Sequence, residues 1–466
     1  MSISTALFTG ISGLNTLGNS MSVVGDNIAN VNTIGFKGSR ATFEDVLSQS
    51  ISTAAGTAQV GRGTTLSTVN ILFQQGSFES TSEPTDLAIG GKGFFIVKQP
   101  GTESAYYTRA GQFRFDKDGN FINPAGYVVR GWKLDNEGQD VGAITDIVMD
   151  SFTSPPDNTG QVKIITNVDS RASDLSTVLT DSWDGTASVP ISAATYNYQT
   201  SLQIYDDLGS SHDLTIYYDM GSTANTWEYM VTCNPDEDYR AGFCDPDIAE
   251  RGILMRGEMT FNAANGTIES LIGETYDPVA ADWQDTSTST DGYHEFDAQF
   301  SEAGNTQTMT LNIGTRWNGT AWANDALSTT QYASSSTTIF QTQDGYATGF
   351  LQDVAVDTDG VITGHYSNGQ ILTLYRVALA NFNNPWGLSK EGGNLFRATR
   401  ISGDPTTGHP GSNGLGRLAP NALEQSNVDI ATEFVKMISI ERGFQANSRI
   451  ITTTDNMLQE LINLKR

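Results

Sequence analysis

Cysteine is nearly absent from this chain, with only Cys233 and Cys244 among 466 residues. That scarcity excludes a disulfide framework and any cysteine-rich metal ribbon. Basic residues are scarce as well: 26 Lys and Arg stand against 53 Asp and Glu, for a net charge of -27. Such a surface repels nucleic acid and anionic membrane, so neither is an expected partner. Charge of either sign amounts to only 17%, below the roughly 25% of an average domain. Serine, threonine, asparagine and glycine fill the polar balance. No apolar run reaches the ~18 residues of a membrane span. The N-terminus has neither the basic n-region nor the continuous h-region of a cleavable signal. A cytosolic protein and one exported without a cleaved signal both fit. The four histidines are scattered singly, and no HExxH or CxxC pair occurs, so neither a metal nor a cofactor is expected.

What is present begins with two helical ends. Leu7, Gly10, Leu14, Leu17, Met21, Val24, Ile28 and Val31 step by three and four, an a/d seam. Asp26 is the only charge before Lys37, so the outer face also reads as meant for burial. Four interior glycines (Gly10, Gly13, Gly18, Gly25) each cost about 1 kcal/mol against alanine, which makes this a weak helix without partners. The far end answers in kind. Ile450, Thr454, Met457, Leu461 and Leu464 form a second heptad stripe, widened by Ile451 and Leu458. Ser426 or Asn427 is the expected N-cap with Asp429 in the first turn, and Lys465 and Arg466 suit the negative end of the dipole.

Between the ends the chain reads as β-structure. Residues 113 to 122 form a hairpin with an Asp-Gly turn, residues 200 to 218 another, and residues 354 to 382 a meander turning at Asp359-Gly360 and Asn368-Gly369. The catalytic look-alikes fail one by one. Asp116 and Asp357 each open a calcium-loop spacing, yet the twelfth position, which needs an acid, is Tyr127 or Asn368. Ser211, His212 and Asp213 are adjacent on a strand and so cannot converge as a triad. The glycines from Gly90 match neither phosphate-loop spacing and are expected to bend the backbone before the buried strand Phe94 to Val97. No constellation carries chemistry, and no enzyme is expected.

The stretch ANVNTIGFK, Ala29 to Lys37, ends the first helix abruptly. Asn30 and Asn32 tolerate the left-handed conformation, Gly35 permits a sharp turn, and Phe36 offers an apolar anchor. The whole string, with Asn30, Asn32, Thr33, Gly35 and Phe36, resembles the signature of the bacterial flagellar rod and hook proteins. Ser12 to Asn15, residues 86 to 97 (DLAIGGKGFFIV), 107 to 114, 367 to 370, 377 to 388 and 392 to 396 resemble further segments of that family in the same order. Leu423 to Asp429, with Ser426, Asn427 and Asp429, and Arg442 to Asn447, with Gln445 and Asn447, resemble its C-terminal helix signature. The segment TSLQIYDDLGSSHDLTIYY is similar to the outer domain of the hook members. The acidic segment Cys233 to Asp247 departs from the family pattern.

This resemblance implies a mainly β fold with helical termini that pair in a coiled-coil-like core. It implies a helical core domain of 1–30 plus 424–466, a connecting segment 31–70, an inner β-domain of 71–172 plus 344–423, and an outer β-domain at 173–343. The implied function is a structural subunit that polymerises into the flexible hook tube and passes torque from rod to filament. The implied subunit-interface residues are Leu7, Leu14, Leu17, Met21, Val24, Ile28, Ile450, Met457, Leu458, Leu461 and Leu464. Implied partners are further copies of the chain, rod and hook-filament junction proteins, a hook cap and the type III export apparatus, with an extracellular location. Outside the cell, Cys233 and Cys244 are expected to bridge, worth roughly 2–3 kcal/mol, although two free thiols also fit. Two other readings stay open: a distal-rod or junction protein, and a secreted carbohydrate-active or carbohydrate-binding β-protein, hinted at by Trp317, Trp322 and Asp325.

Overall fold

The structure, a computed structural model, describes residues 3–53, 56–135, 137–149, 151–175, 178–245, 247–302 and 304–464. Two long helices occupy the ends, α1 at Ile3–Ala29 and α2 at Ile430–Asn463, and strands fill the chain between them. The chain divides into two compact units. The first is Met1–Phe152, Leu351–Tyr366 and Gln370–Arg466; the second is Thr153–Phe350 and Ser367–Gly369.

In the first unit, Ser39–Asp45 pairs antiparallel with Thr64–Ile71, so the stretch that follows α1 is a β-ribbon. The main sheet runs through Val361–Tyr366, Ile371–Val377, Val128–Leu134, Phe94–Lys98, Ala105–Thr108 and Leu395–Arg397 as neighbours. Phe94 to Val97 is buried throughout. Phe95 and Val97 enter one apolar cluster with Leu87, Ile89 and Phe121, while Phe94 and Ile96 enter another with Tyr107, Phe382 and Phe396. A strand covered on both faces must be apolar at every position, which is why it shows no alternation. The expected bend before it is made by Gly91 and Gly93, at φ 123° and 129°. The Asp116 hairpin is a turn whose carboxylate accepts from the Asp118 and Asn120 N–H groups at 2.9 and 2.8 Å.

The second unit is a sandwich. An antiparallel six-stranded sheet orders Tyr198–Tyr205, Ser211–Met220, Thr226–Thr232, Ile253–Phe261, Ile268–Asp277 and Asp282–Asp285. The other sheet orders His294–Ala298, Gln307–Asn312 and Gln161–Asp169, and Thr337–Gln343 forms its far edge. Inward side chains of both sheets share one core, including Trp227, Tyr218, Phe261, Phe296 and Ile164. Ser211, His212 and Asp213 alternate exposed, buried, exposed along their strand. Trp317 and Trp322 are cross-strand partners in a local hairpin, with ring centroids 5.5 Å apart. Asp325 there accepts from the Tyr293 hydroxyl.

The expected disulfide is absent. Cys233 is buried at the end of the sheet, where burial pushes its thiol well above the ordinary value. Cys244 is exposed, with its Sγ directed at the Tyr239 and Arg240 carbonyls at 3.7 and 3.8 Å.

Candidate assembly surface

The helices α1 and α2 meet through small and polar groups. On α1 the buried positions are Gly10, Gly13, Thr16, Val24 and Asn27, while Leu7, Leu14, Leu17, Met21 and Ile28 are only half-buried. A Cβ at Gly10 would lie 3.1 Å from Ile451 Cγ1, and one at Gly13 would lie 2.7 Å from Asn447 Nδ2. Gly443 on α2 receives Leu17 in the same way, its Cβ position 3.2 Å from Leu17 Cδ1. The glycines that weaken α1 as an isolated helix are therefore what lets α2 approach. Gly18 and Gly25 differ, with open space around them.

Where α1 ends, the signature string folds into a tie between helices and sheet. The Asn30 amide donates to the Asp26 carbonyl at 2.9 Å, and Thr33 donates its hydroxyl to Asn30 Oδ1 at 3.1 Å. Neither Asn30 nor Asn32 adopts positive φ, contrary to the expectation from sequence; Asn30 closes the last turn with its side chain instead. Gly35 alone makes the left-handed turn, at φ 68°, and a Cβ there would meet the Ala110 backbone N at 2.5 Å. Its N–H donates to the Glu424 carbonyl at 2.7 Å. Phe36 is buried with the Lys390 ammonium 5.3 Å from its ring centre.

The next residue explains why the first base of the chain arrives here. Lys37 Nζ lies 2.6 Å from Glu424 Oε1, and neither side chain is exposed. Arg109 approaches Glu424 Oε2 at 3.4 Å, Gly76 N–H donates to Oε1 at 2.9 Å, and Lys37 also donates to the Gln74 carbonyl at 2.8 Å. Burial lowers the Lys37 and Arg109 pKa values, and the Glu424 carboxylate pulls both back up. One buried carboxylate thus anchors two cations from segments far apart in sequence. Asn27 extends the tie. It exchanges hydrogen bonds with the Ser39 backbone at 2.8 Å in each direction and donates to Glu433 Oε2 at 3.2 Å.

Asn427 accepts from Gly38 N–H at 2.9 Å and donates to the Leu72 carbonyl at 2.7 Å. Those bonds occupy it, so neither it nor Ser426 caps α2. Asp429 is the N-cap and accepts from Thr432 N–H at 2.6 Å, which corrects the expected cap. Gln445 bonds Glu441 along an exposed face at 3.2 Å. Of the α2 stripe expected to pair with α1, Thr454 is buried and Ile451 lies on the pairing side with Asn447, whereas Ile450, Met457, Leu458 and Leu464 are exposed. The side chain of Leu461 and residues Lys465 and Arg466 lie outside the described residues. Sequence reasoning missed Ile430, Phe434, Val435 and Ile438, which add 45%, 48%, 64% and 50% exposed apolar side chains to the first turns of α2. Their i, i+4, i+8 spacing was the available signal. It also missed Glu424 and Arg109, for which the sole early lysine was only a hint. A continuous uncovered apolar face on a helix whose other side is anchored marks an interaction surface.

The chain is similar to known proteins along nearly its whole length. The Flagella basal body rod protein family matches residues 7–37 and the Flagellar basal body rod FlgEFG protein C-terminal family matches 419–464. The Flagellar hook protein FlgE/F/G D1 domain matches 88–167, and the Flagellar basal body protein FlaE D2 domain matches 167–346. The chain is 36% identical to the flagellar hook protein FlgE of Borreliella burgdorferi, over 99% of both chains. It is 32% identical to that of Treponema pallidum, again over 99% of both. The crystal structure of Helicobacter pylori flagellar hook protein FlgE2 covers 74% of this chain and 100% of its own, at 15% identity and a TM-score of 0.46.

Proposed function

The chain belongs to the family of bacterial flagellar hook proteins and is a structural subunit of the hook; from that premise we propose that it polymerises through the uncovered apolar face of its paired terminal helices. The observation that carries this reading is the row Ile430, Phe434 and Ile438, exposed on a helix whose opposite side is fixed by Asn447, Ile451 and Glu433. Copies of the chain bury that row against one another, and the resulting tube joins rod to filament and passes torque. Outside the helices, weak contacts among serine, threonine and asparagine side chains of the β-structure slide as the tube bends. The role is mechanical and involves no catalysis. The subunit leaves the cell through the type III export apparatus, and rod, junction and cap proteins meet it at the two ends of the tube.

The test is sedimentation of the purified full-length protein beside Phe434→Asp/Ile438→Asp. Both positions are exposed, so the variant keeps its fold, while a charge at each site opposes burial. The wild type is expected to form rapidly sedimenting polymer, and the variant to stay monomeric with an unchanged thermal transition. A variant that polymerises as readily as wild type removes this face from the interface.

A further inference from the structure

The two sheets of the second unit end differently on their two sides. At one end lie Asp282–Asp285, the edge of the six-stranded sheet, and His294–Ala298, the edge of the other. These strands carry Asp282, Asp285, Glu295 and Asp297. Acid on an edge strand blocks pairing with another chain, because the incoming strand would have to desolvate the charge. The opposite edges are Tyr198–Tyr205 and Thr337–Gln343, and neither strand contains a charged residue.

These two neutral edges are contiguous. Tyr198 Oη lies 2.9 Å from Thr338 Oγ1, which in turn donates to Thr200 Oγ1 at 2.9 Å. Together the two strands make an edge that carries no acid along its length, on a molecule of net charge -27. Nor is it merely polar filler: Ile339 is 51% exposed and Phe340 42% exposed there, with Lys163 of the adjoining strand 5.9 Å from the Phe340 ring centre. Two copies of so acidic a chain repel wherever acids face each other. Their least repulsive approach is through a side without acids, and backbone edges unguarded by charge favour contact further.

We propose that this neutral side of the second unit, formed by the Tyr198–Tyr205 and Thr337–Gln343 strands, packs against a neighbouring copy of the chain, while the acidic side stays in solvent. The inference rests on the polymer reading and names the surface that the second unit contributes to it. Serine, threonine and glutamine on this side offer uncharged hydrogen bonds that exchange partners as copies shift.

The experiment uses full-length protein under polymerising conditions. Gln199→Glu/Ile339→Glu places acids on the neutral side; Val279→Glu, at a position 94% exposed in the turn that enters the acidic edge, is the control. The double variant is expected to raise the protein concentration needed for polymerisation by about tenfold, through like-charge juxtaposition, and the control to leave it unchanged. In wild-type polymer, amide exchange at residues 337–343 slows relative to the monomer. Wild-type polymerisation with an unaffected double variant and unchanged exchange at 337–343 overturns this surface and leaves the polymer reading standing. Failure of the wild type itself to polymerise overturns both.

Discussion

Replacing Glu424 by alanine strands two cations in the interior of the first unit. The carboxylate is the partner of Lys37 at 2.6 Å and Arg109 at 3.4 Å, and the acceptor for Gly76 N–H at 2.9 Å. Breaking a buried pair from one side costs about 3–5 kcal/mol, because the remaining charge has no compensation. In a unit of this size that lowers the midpoint of thermal unfolding by roughly 10 °C. The pH dependence separates charge from lost packing. Burial already holds the Lys37 pKa below its unfolded value, so the unfolded chain binds more protons and stability at this site rises with pH. Removing Glu424 drops that pKa further and widens the window. The deficit of Glu424→Ala should therefore be full at neutral pH and shrink as pH climbs towards the unfolded lysine value. Calorimetry of Glu424→Ala and of Lys37→Met/Glu424→Gln supplies the assay, with the double variant recovering only the Lys37 share of the loss, since Arg109 remains without its carboxylate. A Glu424→Ala protein within about 1 kcal/mol of wild type, or a deficit independent of pH, refutes the electrostatic account.

Further outcomes follow from the same contacts. Gly13→Val drives a branched side chain into Asn447 and should cost about 1–3 kcal/mol by denaturant unfolding, whereas Gly18→Ala, in open space, should gain about 0.5–1 kcal/mol. In the native protein a thiol reagent should label Cys244 alone, with Cys233 reacting only after unfolding; equal labelling, or none at either, contradicts the packing of Cys233. Hydrogen bonds from Thr432 hold the Asp429 carboxyl below its ordinary value. Its capping of α2 is thus present above the unfolded carboxylate pKa and is lost as pH falls through the folded one. The Thr432 amide resonance should shift through that acidic range in wild type and stay flat in Asp429→Asn.

Local chemistry made much of this fold legible in advance. The Asp-Gly and Asn-Gly turns sit at Gly119, Gly360 and Gly369, each at positive φ, because only glycine takes that conformation without strain. The helical ends were legible too, since apolar residues at three- and four-residue steps require a partner. The face by which the helices pair was not. A search for apolar stripes finds Gly10 and Ile451 but also selects Ile450, Met457 and Leu464, and it passes over Gly13, Gly443 and Asn447, which make the close approach and carry little apolar surface. The α2 cap was misplaced because Asn427, a good cap by type, is engaged by Gly38 and Leu72, contacts that exist only in the folded chain. The tie at Glu424 was hidden for the same reason. Lys37 and Arg109 converge on it from the two ends of separate segments, and no local pattern announces such a meeting.

The central claim is that the paired helices hold the polymer together. Helical reconstruction by electron microscopy of the assembled full-length protein tests it most directly. The account predicts a tube with α1 and α2 at the innermost radius and Phe434 and Ile438 buried against a neighbouring copy. A tube with α2 exposed on its outer wall, or with Phe434 still facing solvent, would contradict it.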